Sequence, residues 1–175
     1  MNKFLKEFKD RGFFYQCTNE DELSKILDKE KINGYIGFDC TAESLHVGSL
    51  LQIMCLRLLQ KHGHRPIVLL GGGTTRIGDP SGKDKTRTIL NEEEIEKNIK
   101  NIEKILKNFL DTKDPKTKPI FVNNYSWLKN LKIEVFSISA QLKRTYQSCL
   151  IKKKLMLILV LTARLKVFML VAYFK

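Results

Sequence analysis

Ile67-Val68-Leu69-Leu70 is an uninterrupted apolar run, opened by Arg65-Pro66 and closed at once by Gly71-Gly72-Gly73. Four residues between such breakers are too few for a helix, and too apolar for a strand with one wet face. A strand buried on both faces of a parallel sheet is what the run fits. Parallel strands need helical crossovers between them, and the flanking sequence supplies these. Tyr35-Ile36-Gly37-Phe38 is a second short apolar run, ending in the polar Asp39-Cys40-Thr41. Over residues 45–62, Val47, Leu50, Leu51, Met54, Leu58 and Leu59 recur at helical spacing, and Gly63 follows as a stop. Asn91 with Glu94 reads as a capping box, Glu92 and Glu93 sit at the positive end of the helix dipole, and Ile95, Ile99, Ile102, Ile105, Leu106 and Phe109 share one face. Pro119-Ile120-Phe121-Val122 is a third strand. Upstream, Phe4, Leu5 and Phe8, then Leu23, Ile26 and Leu27 behind Thr18, Asn19 and Glu22, mark two further helices. Strand, helix, strand, helix, strand predicts an α/β doubly wound parallel sheet, with ligands bound beyond the carboxyl ends of the strands.

That organisation stops at Leu128. Residues 1–128 hold 21 Lys and Arg against 18 Asp and Glu, whereas residues 129–175 hold 10 against the single acid Glu134. The tail therefore carries most of the chain's net charge of +12, yet it has none of the 10 glycines and none of the 4 prolines that turns require. Two regions are expected, a body at 1–128 and a basic tail at 129–175. Residues 155–174 are mostly apolar, but Arg164 and Lys166 near the middle would each cost roughly 2.5–3.5 kcal/mol on insertion, so no membrane span is expected. Cys17, Cys40, Cys55 and Cys149 show no metal or redox spacing, which points to small buried or semi-buried thiols in a reducing cytoplasm.

Two segments lie where such a sheet binds ligands. Asp39 to Ser49 follows the first strand, and its Ser44-Leu45-His46-Val47-Gly48 puts a histidine at a helix start with glycine two residues on, suited to a phosphate at free backbone N–H groups. Alone, His-x-Gly is a weak signal, because a lone histidine at a helix start is more often a local hydrogen-bonding residue. The second is Gly71-Gly72-Gly73-Thr74-Thr75-Arg76-Ile77-Gly78-Asp79-Pro80-Ser81-Gly82-Lys83, read as a glycine-rich loop. It is not a P-loop, because Ile77 stands five residues before Gly82-Lys83 and Asp84 follows them. It is not the dinucleotide fingerprint either, because Arg76 takes the place of the third glycine.

In order and spacing, Tyr35-Ile36-Gly37-Phe38-Asp39, Ser44-Leu45-His46-Val47-Gly48, Gly78-Asp79-Pro80-Ser81-Gly82-Lys83 and Asn123-Asn124-Tyr125-Ser126-Trp127 resemble bacterial tyrosyl-tRNA synthetases, over about residues 2–128. The resemblance implies the N-terminal half of a class I, Rossmann-like catalytic domain. It also implies an enzyme that activates tyrosine with ATP, brought with Mg2+ as substrate, and transfers it to tRNA(Tyr), with no tightly bound cofactor and no resident metal. Its implied homes and partners are the cytoplasm, tyrosine, ATP, tRNA(Tyr) and, for the full-length family, a second copy of the chain. On the tyrosine side it implies Tyr35, Thr74, Asp79 and Asn124. On the ATP side it implies Asp39, Thr41, His46, Gly48 and Ser49, where serine replaces the second histidine of the family's His-x-Gly-His signature. Thr41 and His46, with the loop cations Lys83 and Arg87, are the implied catalytic groups.

Beyond Trp127-Leu128-Lys129 the family's Tyr-x-x-x-Gln-x-x-Asp pattern, second half-sheet and KMSKS-like loop are not found in this sequence, and nothing in 141–175 aligns. A shifted reading frame or a degraded gene accounts for so abrupt a change. The chain is then an incomplete fragment, or a non-catalytic remnant binding tyrosine or ATP weakly or not at all. A basic nucleic-acid or membrane-binding module rests on the tail charge alone.

Overall fold

The computed structural model describes residues 2–15, 17, 19–77, 90–130 and 167–169. Helix α1 (Lys3–Asp10) is capped by Asn2, whose side chain accepts the Phe4 and Leu5 N–H groups, and it buries Phe4, Leu5 and Phe8. Helix α2 (Glu20–Lys29) is capped by Asn19, which accepts the Glu22 N–H. Strand β1 (Asn33–Phe38), helix α3 (Val47–Lys61) and strand β2 (Arg65–Leu70) make the first crossover unit. Gly63, at φ +81°, turns the chain between α3 and β2 in a conformation that favours glycine. Helix α4 (Gly72–Ile77) follows β2 directly; then come α5 (Glu92–Phe109), β3 (Ile120–Asn123), the single turn α6 (Tyr125–Leu128) and β4 (Val167–Met169). The expected capping box is present, with Asn91 accepting the Glu94 N–H and Glu94 accepting the Asn91 N–H.

The sheet is parallel, in the order β3-β2-β1-β4. Phe38, Leu70 and Asn123 stand in register, so β1, β2 and β3 end on one line, and the segments after them meet at a common edge. Side chains alternate across the strands. A Cβ added to Gly34 would meet Leu59 of α3 at 2.8 Å, so Gly34, Ile36 and Phe38 face the helices, and the register puts Val68, Leu70 and Phe121 beside them. That face is the core, with Ile53, Leu56 and Leu59 from α3 and Ile95, Ile99, Ile102 and Leu106 from α5 packed on it. Tyr35, Gly37, Leu69 and Val122 occupy the other face, half-buried or exposed.

Two features differ from the sequence reading. Gly72 and Gly73 open a helix rather than a loop, for a reason of space, while residues 78–83 of the same segment lie outside the described residues. A Cβ on Gly71 would lie 3.1 Å from the Phe38 carbonyl, on Gly72 2.5 Å from the Asn123 side chain, and on Gly73 3.2 Å from the Tyr125 Cα. The three glycines let the end of β2 close against β1, β3 and α6. Within the tail, β4 pairs with Asn33, Gly34 and Tyr35 of β1. Among the described residues no helix is long and apolar enough to cross a membrane.

Candidate functional site

The shared carboxyl edge gathers three segments: Asp39 to His46 after β1, Gly71 to Thr75 after β2, and Asn124 after β3. Their local order comes from side chains that bond to backbone. Asn124 is 7 % exposed and performs three tasks. Its N–H donates to the Leu70 carbonyl at 3.0 Å, its Oδ1 accepts the Gly73 N–H at 2.6 Å, and its Nδ2 donates to Thr74 Oγ1 at 3.2 Å. Thr74 Oγ1 in turn donates to the Gly71 carbonyl at 3.0 Å. With its single proton committed and one lone pair taken, the exposed Thr74 hydroxyl has only acceptor capacity left for a ligand, which suits a cationic donor such as an ammonium.

His46 is exposed and caps α3; its Nδ1 accepts the Gly48 N–H at 3.0 Å. That bond fixes the neutral tautomer, leaving the proton on Nε2 as a donor. Gly48 makes room for the ring, since a Cβ there would lie 2.8 Å from the imidazole. Asp39 and Thr41 are also exposed, whereas Ser49 is 6 % exposed, beneath the surface of the helix start. Tyr35 lies three residues before the end of β1, on the face away from α3, half-buried, and burial raises its phenol pKa, keeping it protonated as a donor. Asp79, Lys83 and Arg87 lie outside the described residues. The surface grooves lined by Lys100, Lys104 and Lys107, and by Arg57, Met54 and Asp114, contain none of these positions. No group of His, Cys, Asp and Glu able to hold a metal ion occurs among the described residues.

Three residues at this edge escaped the sequence reading. Arg76 stacks its guanidinium 3.8 Å from the centre of the Tyr125 ring, donates to the Gly72 carbonyl at 2.8 Å and pairs with Glu96 at 3.0 Å, tying α4 to α5 and α6. Thr75 Oγ1 accepts the Cys40 N–H, and Asn98 Nδ2 donates to the Cys40 carbonyl. Asn98 left one readable sign, a polar residue on the helix stripe that otherwise holds Ile95, Ile99 and Ile102.

Residues 27–153 match the profile of the tRNA synthetases class I (W and Y), a stretch that includes every position discussed from Tyr35 to Asn124. The chain is 89% identical over 131 residues to a Tyrosine–tRNA ligase of Pelagibacter ubique (strain HTCC1062), covering 75% of this chain and 32% of that protein. It is 54% identical over 126 residues to a Tyrosine–tRNA ligase of Rickettsia massiliae (strain Mtu5), covering 72% and 31%. Among solved structures, a C-terminally truncated mitochondrial tyrosyl-tRNA synthetase of Coccidioides posadasii superposes with a TM-score of 0.62 at 28% identity, over 75% of this chain and 38% of that one. The chain thus spans about a third of the length of the curated relatives it matches.

Proposed function

The chain belongs to the class I tRNA synthetases of the W and Y group, and from that premise we propose that it carries the tyrosine- and ATP-binding residues of a tyrosine–tRNA ligase. The near-identity to a Tyrosine–tRNA ligase carries this reading, since it selects tyrosine within a group that also handles tryptophan. In the reaction, a carboxylate oxygen of tyrosine attacks the α-phosphorus of ATP, pyrophosphate leaves, and the tyrosyl-adenylate gives its tyrosyl group to tRNA(Tyr). No covalent bond to the protein is needed. Mg2+ enters with ATP as part of the substrate.

Tyr35 hydrogen-bonds the substrate phenol; a pocket built around that bond rejects phenylalanine, which would leave buried polar groups unpaired. Asp79 takes the ammonium group, Thr74 accepts from it, and Asn124 keeps Thr74 in place. Asp39, Thr41, His46, Gly48 and Ser49 form the ATP side. Thr41 and the Nε2–H of His46 donate to the phosphates as the α-phosphorus becomes pentacoordinate, stabilising the transition state more than the ground state. Lys83 and Arg87 neutralise the departing pyrophosphate. The whole protein works in the cytoplasm as a homodimer on this reading. The composition of residues 129–175 favours a second one for the chain by itself, a remnant that binds substrate weakly without catalysis.

A chimera tests the assignment: residues 1–128 of this chain joined to the remaining sequence of the Pelagibacter relative, assayed for tyrosine-dependent pyrophosphate exchange. Asp79→Ala should raise the tyrosine KM, and Thr41→Ala and His46→Ala should mainly lower kcat. Unchanged kinetics in all three would defeat the assignment.

A further inference from the structure

One residue in the loop between β1 and α3 has both of its backbone groups held by side chains from two different helices. The Cys40 N–H donates to Thr75 Oγ1 of α4 at 3.2 Å, and the Cys40 carbonyl accepts from Asn98 Nδ2 of α5 at 3.0 Å. Cys40 itself is wholly buried, and its thiol pKa is pushed up to about 11 chiefly by burial, so its side chain is a packing group without nucleophilic character. Asn98 is 4 % exposed, and a buried amide persists in an apolar stripe only when hydrogen-bonded. The two bonds fix the peptide units on either side of Cys40, which are the units leading to the exposed Asp39 and Thr41. The preceding residue on α4, Thr74, is held by the Gly71 carbonyl and by Asn124. Helix α4 is therefore bonded through Thr74 to the end of β3 and through Thr75 to the loop after β1.

We propose that Thr75 and Asn98 are positioning residues: they clamp Cys40 so that Thr41 and His46 stand in a fixed register to Thr74, and the loop meets the triphosphate already ordered. The inference rests on reading that loop as the ATP side. Physically, exposed side chains on a loop reach catalytic precision only when the backbone beneath them is immobilised, since a displacement of about 1 Å costs on the order of 100-fold. Thr75 acts through Cys40 and need not touch a substrate.

The test uses the 175-residue chain, with amide hydrogen exchange read residue by residue and MgATP affinity read by calorimetry. Thr75→Val keeps the shape and removes the acceptor. It should speed exchange of the Cys40 N–H by about 10-fold, the equivalent of one lost buried hydrogen bond, leave the Leu106 N–H as protected as before, and weaken MgATP binding several-fold. Thr75→Ser, which keeps the hydroxyl, should restore both. Asn98→Asp, which loses the donor at constant size, should loosen Thr41 and Ala42 in the same local way; should it fail to fold, the threonine pair still decides. Acceleration spread evenly over the core, or none at Cys40, overturns the proposal. If the parent chain takes up no MgATP, the ATP-side reading fails, while the exchange data still decide whether the clamp exists.

Discussion

The two faces of the sheet are built to different standards. On the face toward α3 and α5, Ile36, Phe38, Val68 and Leu70 are 7, 3, 0 and 2 % exposed, locked under Leu59, Ile95, Ile102 and Leu106. On the other face, from the same strands, Tyr35, Leu69 and Val122 are only half-buried and Gly37 is exposed. The proposed substrate residues belong to the second face and to the carboxyl edge: Tyr35 on one, and Asp39, Thr41, His46, Thr74 and Asn124 on the other. Stability and chemistry are thus carried by different atoms, and most substitutions should disturb one without the other.

The largest expected effect lies in the packed face. Leu106 is 0 % exposed, so Leu106→Ala loses its burial energy and leaves a cavity, a cost of about 2–5 kcal/mol. Leu69→Ala, in β2 and on the open face, should cost less, about 1–2 kcal/mol, because its side chain is only partly covered. Urea unfolding of the two variants measures both. Equal losses would erase the distinction between the faces.

Legibility in the sequence follows the same division. The packed face announced itself through period: Ile67-Val68-Leu69-Leu70 between breakers, and the stripe of Ile95, Ile99, Ile102 and Leu106 behind an Asn91 and Glu94 capping box, read correctly as β2 and α5, although Phe109 at the end of the expected stripe is exposed. The carboxyl edge did not, because its order comes from contacts between residues far apart in sequence. Gly71-Gly72-Gly73 has the composition of a loop, and only the approach of β1, β3 and α6 explains why it enters a helix. Thr75 and Asn98 lie 35 and 58 residues from Cys40, a separation at which no local pattern can link them. His46 is legible as a histidine at a helix start, Thr74 and Asn124 only through resemblance, and their bonds to Gly48, Gly71 and Gly73 give each a physical reason. Strand β4 had no signal, since a three-residue strand in an apolar, glycine-free stretch looks like its surroundings.

Acid should probe the packed side at a second, smaller level. His64, 4 % exposed at the turn before β2, accepts the Ile32 N–H through Nδ1, and its pKa is lowered by burial and then by the neighbouring His62 and Lys31. The unfolded chain therefore takes up a proton before the folded one does. The stability from neutral His64 is complete above about pH 6.5 and is lost as the pH falls below it toward the folded-state value. A second loss follows from Glu7, whose bonds to Lys61, His62 and Arg11 hold its pKa at about 2 against 4.5, so that its contribution fades as pH falls from 4.5 toward 2. Thermal midpoints from pH 8 to pH 3 should show both steps, and His64→Gln should flatten the first alone. A first step that survives this substitution would mean that His64 is not its source.

The smallest expected effect is at the open face and edge, in catalysis by the 175-residue chain itself: tyrosine-dependent exchange of labelled pyrophosphate into ATP should equal that of its Asp79→Ala variant. Activation requires the tyrosine carboxylate and the α-phosphate to be held about 3 to 3.5 Å apart, and effective molarities of order 10⁵ M or more depend on that geometry. On the proposed assignment, the residues that prepare this approach from the body are Tyr35, Thr74 and Asn124 for tyrosine, and Thr41 and His46 for the phosphates. Between Lys129 and Lys175 the sequence offers no aspartate for the later tyrosine contact that the family resemblance implies, Glu134 being the only acid, and no glycine to shape a loop. Removing one preorganised charge contact typically costs 10² to 10³ in rate, so the absence of several leaves nothing above background. Basic residues in the tail supply charge, but the stretch has neither glycine nor proline to help aim it. Binding and catalysis should accordingly separate, with MgATP or tyrosine retained weakly through the ordered edge and no exchange. Exchange clearly above the Asp79→Ala control would show that residues 129–175 complete the cleft, and that the open face is finished from within this chain.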